Sequence, residues 1–156
     1  MSVSATTRAP RPGEVNGREY HFLSASEFDE RARAGEFLEH AEYAGNRYGT
    51  LRSELERPAD GIVLEIDLQG ARQVRETLPE AAQIFIAPPS PEDLRERLEG
   101  RGSDSSEQIS RRLEAAEVEM AAQEEFGHVV VNDQVERALD ELVELAATMY
   151  PPERND

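Results

Sequence analysis

From residue 62 onward the chain alternates short apolar runs with amphipathic ones, and that alternation limits the fold more than any other feature. IVLEID (Ile62 to Asp67), QIFIA (Gln83 to Ala87) and HVVVN (His128 to Asn132) read as buried strands. Between them QGARQVRETL and PEDLRERL read as helices, the second with Pro91 in its first turn. Ser105 and Gln108 make a capping box for a third helix, with Ile109, Leu113, Ala116 and Met120 at helical spacing. Val135, Leu139, Leu142 and Ala146 are expected to line a last one. Strands separated by crossover helices imply an α/β fold with a parallel sheet, in which ligands sit at the carboxyl ends of the strands.

The first 60 residues are patterned differently. Short strand patterns at Val3, Tyr20 to Leu23 and Phe37 to Tyr43 are broken by Pro/Gly turns, and one helix is opened by the capping box Ser24/Glu27 and closed at Gly35. No repeat or low-complexity segment interrupts the chain, and Pro151 to Asp156 reads as a tail. At 156 residues the expectation is one domain covering residues 1–150.

Composition excludes several function classes. Asp and Glu number 33 against 17 basic residues, for a formal charge of −16, which argues against a nucleic-acid or anionic-membrane surface. Every basic residue is arginine, so no mechanism in this chain can use a lysine. Cysteine is absent, removing disulfides, thiolate catalysis and Cys-ligated zinc. No apolar run approaches the roughly 18 residues of a membrane span and the first residues lack signal-peptide character, so a cytoplasmic setting is the expectation.

Four clusters carry possible chemistry. Ser4, Arg8, Arg11 and Tyr20 lie at a strand end and in the stiff turns after it, where two guanidinium forks and a phenol can hold a phosphate; an Arg pair alone more often reads as solvated loop arginines. Glu39 falls on a strand, where a carboxylate can accept from the N1–H and exocyclic amine of guanine or simply face solvent, while Tyr48, Gly49 and Thr50 are expected at a turn. Glu65 and Asp67 end an apolar strand, and carboxylates so placed need a partner, a metal or a cleft. Arg97, Arg101, Arg111 and Arg112 surround a polar stretch that can close on a transferring phosphoryl group, or serve as ordinary surface arginines. His21, His40 and His128 have no metal-ligand spacing and read as structural.

Together, SVSATTRAPRPGEVNGREYHF, GEFLEHAEYAGNRYGT, LEIDLQGARQVR, FIAPPSPEDLRERLEGRG and VVVND resemble the guanylate kinases, in order and over residues 2 to roughly 147. The composite TTRxPRxGExxGxxYxF is highly specific. The resemblance implies a P-loop kinase-like parallel sheet core, a small mixed β subdomain for GMP at about residues 4–60 and an arginine-rich lid at about 97–112. It implies ATP-dependent phosphorylation of GMP to GDP in purine nucleotide metabolism. Ser4, Glu39, Thr50 and Asp67 then match guanine contacts, and Arg8, Arg11, Tyr20 and Tyr48 match the residues that hold the GMP phosphate. Arg97, Arg101 and Arg112 match lid arginines over the ATP phosphates, Asn132 a residue near adenine, and Glu65 an acidic position near magnesium, which would arrive with ATP.

Between Thr50 and Glu65 the chain is a few residues short of some relatives, implying a clipped helix. The family's first strand, its GxxGxGKS/T loop and first helix have no counterpart in these residues, and the loop's lysine cannot be supplied by a lysine-free chain. The expectation is an N-terminally truncated enzyme sequence, whose own activity is in question; the alternative is a catalytically inactive GMP-binding or protein-binding module of the same family.

Overall fold

The computed structural model describes residues 1–100 and 105–150, which form two compact units, 1–81 and 82–150 of the described chain. Arg101 and the tail at 151–156 lie outside the described residues. In the first unit β1 (Ala5–Thr6), β2 (His21–Phe22), β3 (Phe37–Tyr43) and β4 (Asn46–Leu51) form a mixed sheet in the order β2-β1-β4-β3. β1 runs parallel to β2 and antiparallel to β4, and β3 and β4 form a hairpin.

That hairpin turns at Ala44 and Gly45, both at positive φ (50° and 81°), with Tyr43 opposite Asn46. Two left-handed residues in a two-residue loop make a type I′ turn, whose twist matches that of the strands. Tyr48, Gly49 and Thr50 are therefore in the middle of β4 and not at a turn as their composition suggests; the reversal is made four residues earlier, where Gly45 tolerates the backbone.

α1 (Ala25–Arg33) begins with the full Ser24/Glu27 capping box and is followed by Gly35 at φ +71°, as its sequence signals indicate. Its Phe28 is fully buried and stacks on Phe37 with ring centroids 4.5 Å apart, in a cluster with Ala5 and Leu51. Arg47 from β4 lies over the Phe28 ring at 4.8 Å and pairs with Asp29, fastening the helix to the sheet.

The segment 62–67 is not a strand. It is extended and irregular, with Val63 and Glu65 exposed and Ile62, Leu64 and Ile66 half-buried, and Val63 C=O accepts a ladder-like bond from Ser2 N–H at 3.0 Å. An apolar run becomes a strand only where another edge is beside it, and among the described residues no strand pairs with this one. Glu65 and Asp67 are consequently not buried strand-end carboxylates: Glu65 is exposed, and Asp67 caps α2 (Leu68–Thr77) by accepting from Gly70 N–H at 2.8 Å. Between Leu51 and Glu65 the helical content is one 3₁₀ turn at Arg52–Glu56, in keeping with a clipped helix.

The second unit holds the parallel pair β5 (Ile84–Ala87) and β6 (His128–Val131), with α3 (Pro91–Gly100), α4 (Ser106–Ala121) and α5 (Val135–Met149). α4 starts with the expected Ser105/Gln108 capping box. The parallel sheet is thus two strands wide among the described residues. In α5 the packed stripe is Ala138, Leu142, Leu145 and Met149, whereas Val135 and Leu139 are 70% and 56% exposed and Ala146 is exposed. The helix carries two apolar stripes, and a two-stranded sheet covers only one of them.

One buried carboxylate ties the start of the chain to the first unit. Glu54 accepts from Val3 N–H at 2.8 Å and from Arg57 at 2.9 Å, with His21 Nε2 at 3.6 Å. Burial opposes its ionisation, but the Val3, Arg57 and His21 donors outweigh this and hold its pKa below the usual value. Its stabilisation is present above the unfolded carboxylate value and is lost as pH falls through the lower folded value. Glu54→Ala, which orphans Val3 N–H, is expected to lower the thermal midpoint by about 3–8 °C at pH 7 and to reduce the loss of stability on acidification, as read by circular dichroism.

Candidate functional site

A single irregularity in the β3–β4 ladder decides which side chains meet. Phe37 pairs with Leu51, but Glu39 pairs with Thr50, so Leu38 is an extra residue, a bulge. Without it Phe37 and Glu39, two residues apart, would face the same way. With it Phe37 faces α1 and Glu39 faces the other side, beside Thr50.

The register carries that second face across the sheet. Tyr48 shares it with Thr50 and pairs with Thr6 of β1, which pairs with Phe22 of β2. Ser4, whose C=O accepts from His21 N–H and so extends the ladder, falls on the side of Thr6 by the two-residue period, while Arg8 and Tyr20 reach the same side through their contacts with the Phe22 and Tyr48 rings. Six of the residues singled out from sequence, Ser4, Arg8, Tyr20, Glu39, Tyr48 and Thr50, are therefore brought onto one face.

Arg8 is the centre of a cationic and aromatic cluster. Its guanidinium carbon lies 5.2 Å from the Tyr20 ring centroid and 5.8 Å from that of Phe22, and the Tyr20 and Tyr48 rings are 6.1 Å apart. Glu14, which the spacing of the arginines did not single out, grips Arg8 with both oxygens at 2.9 and 3.0 Å and accepts from Arg11 N–H at 2.6 Å. The hydrogen bond to Glu14 is the chief reason the Arg8 pKa is raised above its already high value. The signal for Glu14 is positional: it follows Gly13, at φ +88°, in the turn that returns the chain to Arg11. The Tyr20 hydroxyl is held protonated chiefly by burial, with the charges of Tyr48 and Glu65 adding to it. It remains a donor at neutral pH.

The other end of the face is acidic and apolar. Glu39 is 4% exposed, and burial raises its pKa, with the Asp67 charge adding to the effect and the Thr50 hydroxyl and N–H opposing it. The Thr50 hydroxyl is itself fully buried and, although near the Glu39 carboxylate, makes no hydrogen bond of good geometry among the described residues. A carboxylate buried without a cation and an orphaned hydroxyl each cost free energy in a fold that gains nothing else from them.

In the second unit Arg97 donates to the carbonyls of Asn132 (2.8 Å) and Asp133 (3.4 Å), just past the end of β6. Arg112 is half-buried on α4, and Arg111 pairs with Glu107 at 2.7 Å. Among the described residues no group of three or more His, Asp or Glu could hold a metal, and no helix is long and apolar enough to cross a membrane.

One sheet face gathers an arginine–tyrosine cluster and a buried carboxylate, which suits a ligand that is anionic at one end and offers hydrogen-bond donors at the other. A family model for guanylate kinase matches residues 1–148. A guanylate kinase of Frankia casuarinae is 55% identical over 148 residues, covering 93% of this chain and 80% of that protein. One of Rubrobacter xylanophilus is 54% identical over 147 residues, covering 92% of this chain and 77% of its own length. The crystal structure of guanylate kinase from Anaplasma phagocytophilum matches with a TM-score of 0.80 at 36% identity, over 97% of this chain and 76% of that one. The chain belongs to the guanylate kinase family, phosphotransferases that convert GMP to GDP at the expense of ATP.

Because Glu39 has a raised folded pKa, its ionisation opposes folding, and its contribution to stability grows as pH falls through that value. Glu39→Gln is expected to raise the thermal midpoint of the nucleotide-free protein at pH 7 and to flatten this dependence.

Proposed function

We propose that the mixed-sheet face is the GMP site of an ATP-dependent guanylate kinase. The Glu39 carboxylate accepts from the N1–H and exocyclic amine of guanine, with Thr50, Ser4 and Asp67 completing the base contacts. Arg8, Arg11, Tyr20 and Tyr48 hold the phosphate. The observation that carries this reading is the burial of Glu39 beside an orphaned Thr50 hydroxyl on the same face as Arg8. Guanine offers two donors on one edge to such a pair, and adenine does not present both.

The donor side follows from the same reading. Arg97, Arg101 and Arg112 neutralise charge on the ATP phosphates and on the phosphoryl group in flight, and Asn132 lies near adenine. Magnesium enters as part of the ATP substrate, with Glu65 as the nearby carboxylate of this chain. Positioning GMP rigidly opposite ATP supplies most of the catalysis, since a loose phosphoryl transition state asks little covalent chemistry of the protein. The reading assigns the enzyme to purine nucleotide metabolism, with a cytoplasmic setting as part of the proposal.

These 156 residues include no lysine and no GxxGxGKS/T loop. We therefore separate two properties: the acceptor half binds GMP, and turnover needs a donor-phosphate loop supplied in addition.

Calorimetry on the 156-residue chain with GMP and AMP tests the first property. GMP is expected to bind at least about tenfold more tightly than AMP, and Arg8→Ala to weaken GMP by about 10-fold or more. Equal affinity for the two nucleotides would overturn the base assignment. Mixing the chain with ATP, magnesium and GMP is expected to give no GDP above background, and a segment bearing the loop, added in trans, to restore it.

A further inference from the structure

Gly70 occupies the third position of α2, where its backbone is helical and an alanine would suit the helix better. The turn geometry does not call for a glycine there. A Cβ at that position would lie 2.6 Å from Glu39 Oε2, 3.1 Å from its Cδ and 3.2 Å from Ile66 Cβ. The missing side chain is the seat of the Glu39 carboxylate.

A second residue on the same helix fixes how close that seat comes. One turn on from Gln69, Gln73 clasps the backbone of His40, the neighbour of Glu39: His40 N–H donates to Gln73 Oε1 at 3.1 Å, and Gln73 Nε2 donates to His40 C=O at 2.8 Å. Gln69 Nε2 donates to Glu42 C=O at 3.1 Å. Two glutamines four residues apart thus stand in for a further strand along the open edge of β3. Glu39 is held between this helix and Thr50 by close packing, and among the described residues no cation pairs with its oxygens.

We propose that Gly70 and Gln73 are specificity-positioning residues: together they aim both oxygens of Glu39, so that the exocyclic amine of guanine is read as well as N1–H. This rests on the assignment of Glu39 as the base-reading residue. Its consequence is discrimination between GMP and IMP, whose base keeps N1–H but lacks the amine. An alanine at 70 pushes the carboxylate aside, leaving the phosphate cluster around Arg8 untouched.

The test is calorimetry with GMP and IMP on the full chain and on Gly70→Ala, Gln73→Ala and Glu39→Gln. The unsubstituted chain is expected to prefer GMP by about 10-fold or more, and Gly70→Ala to compress that ratio to about threefold or less by weakening GMP more than IMP. Gln73→Ala, which adds no bulk, is expected to shift the ratio the same way by a smaller amount, and serves if Gly70→Ala loses its cooperative thermal transition. Equal weakening of GMP and IMP in both variants, with the ratio preserved, would show a merely structural role and overturn the proposal. An undiminished ratio in Glu39→Gln would instead overturn the underlying assignment of Glu39.

Discussion

The extra residue at Leu38 is the constraint from which the site follows. A strand has two faces, and a carboxylate two positions from a core phenylalanine ordinarily shares its side. Inserting one residue into the ladder lets FLE serve both faces: Phe37 packs on Phe28 beneath α1, and Glu39 sits opposite, next to Thr50. Undo the bulge, and either the ring or the charge is on the wrong side. The rest of the sheet then supplies what the register delivers, an arginine–tyrosine cluster at one end of the face and a buried acceptor at the other.

The site is expensive to the fold in one place and inexpensive in another. Arg8 is bound bidentately by Glu14 and flanked by aromatic rings, so its charge is compensated before any ligand arrives. Glu39 has no such compensation; burial raises its pKa, and the group stays where it is because Gly70 leaves room and Gln73 holds the edge of its strand. Backbone and side chains elsewhere in the first unit offset that cost, notably the Phe28 cluster and the Glu54 carboxylate that ties down Val3 N–H. A buried carboxylate whose ionised form is disfavoured by desolvation is stabilised where a ligand supplies further donors.

Much of this was legible in the chain. Capping boxes at Ser24 and Ser105, the Gly35 stop and the β5 and β6 runs are local signals, and local geometry follows them. The residues proposed for the acceptor site come from a long composite motif, and the register brings six of them onto one face. What escaped was set by neighbours. IVLEID has the composition of a strand, but a strand exists only with a partner edge. The bulge at Leu38 leaves no mark in FLEHA, and the turn at Ala44 and Gly45 was hidden by the more prominent YGT. Glu14, Glu54, Gly70 and Gln73 matter through contacts with residues that are distant in sequence or lie across a turn. Val135 and Leu139 have the helical spacing of a packed face, but the stripe that packs is set by the width of the sheet beneath it.

The most direct measurement is amide-resolved NMR of the chain titrated with GMP. The account predicts that the largest shift changes fall at residues 4–8, through the 11–20 turn, and at Glu39 and Tyr48 to Thr50, with β5 and β6 little affected. Changes confined to residues 82–150, or absent from Glu39 and Thr50 while GMP binds, would contradict it.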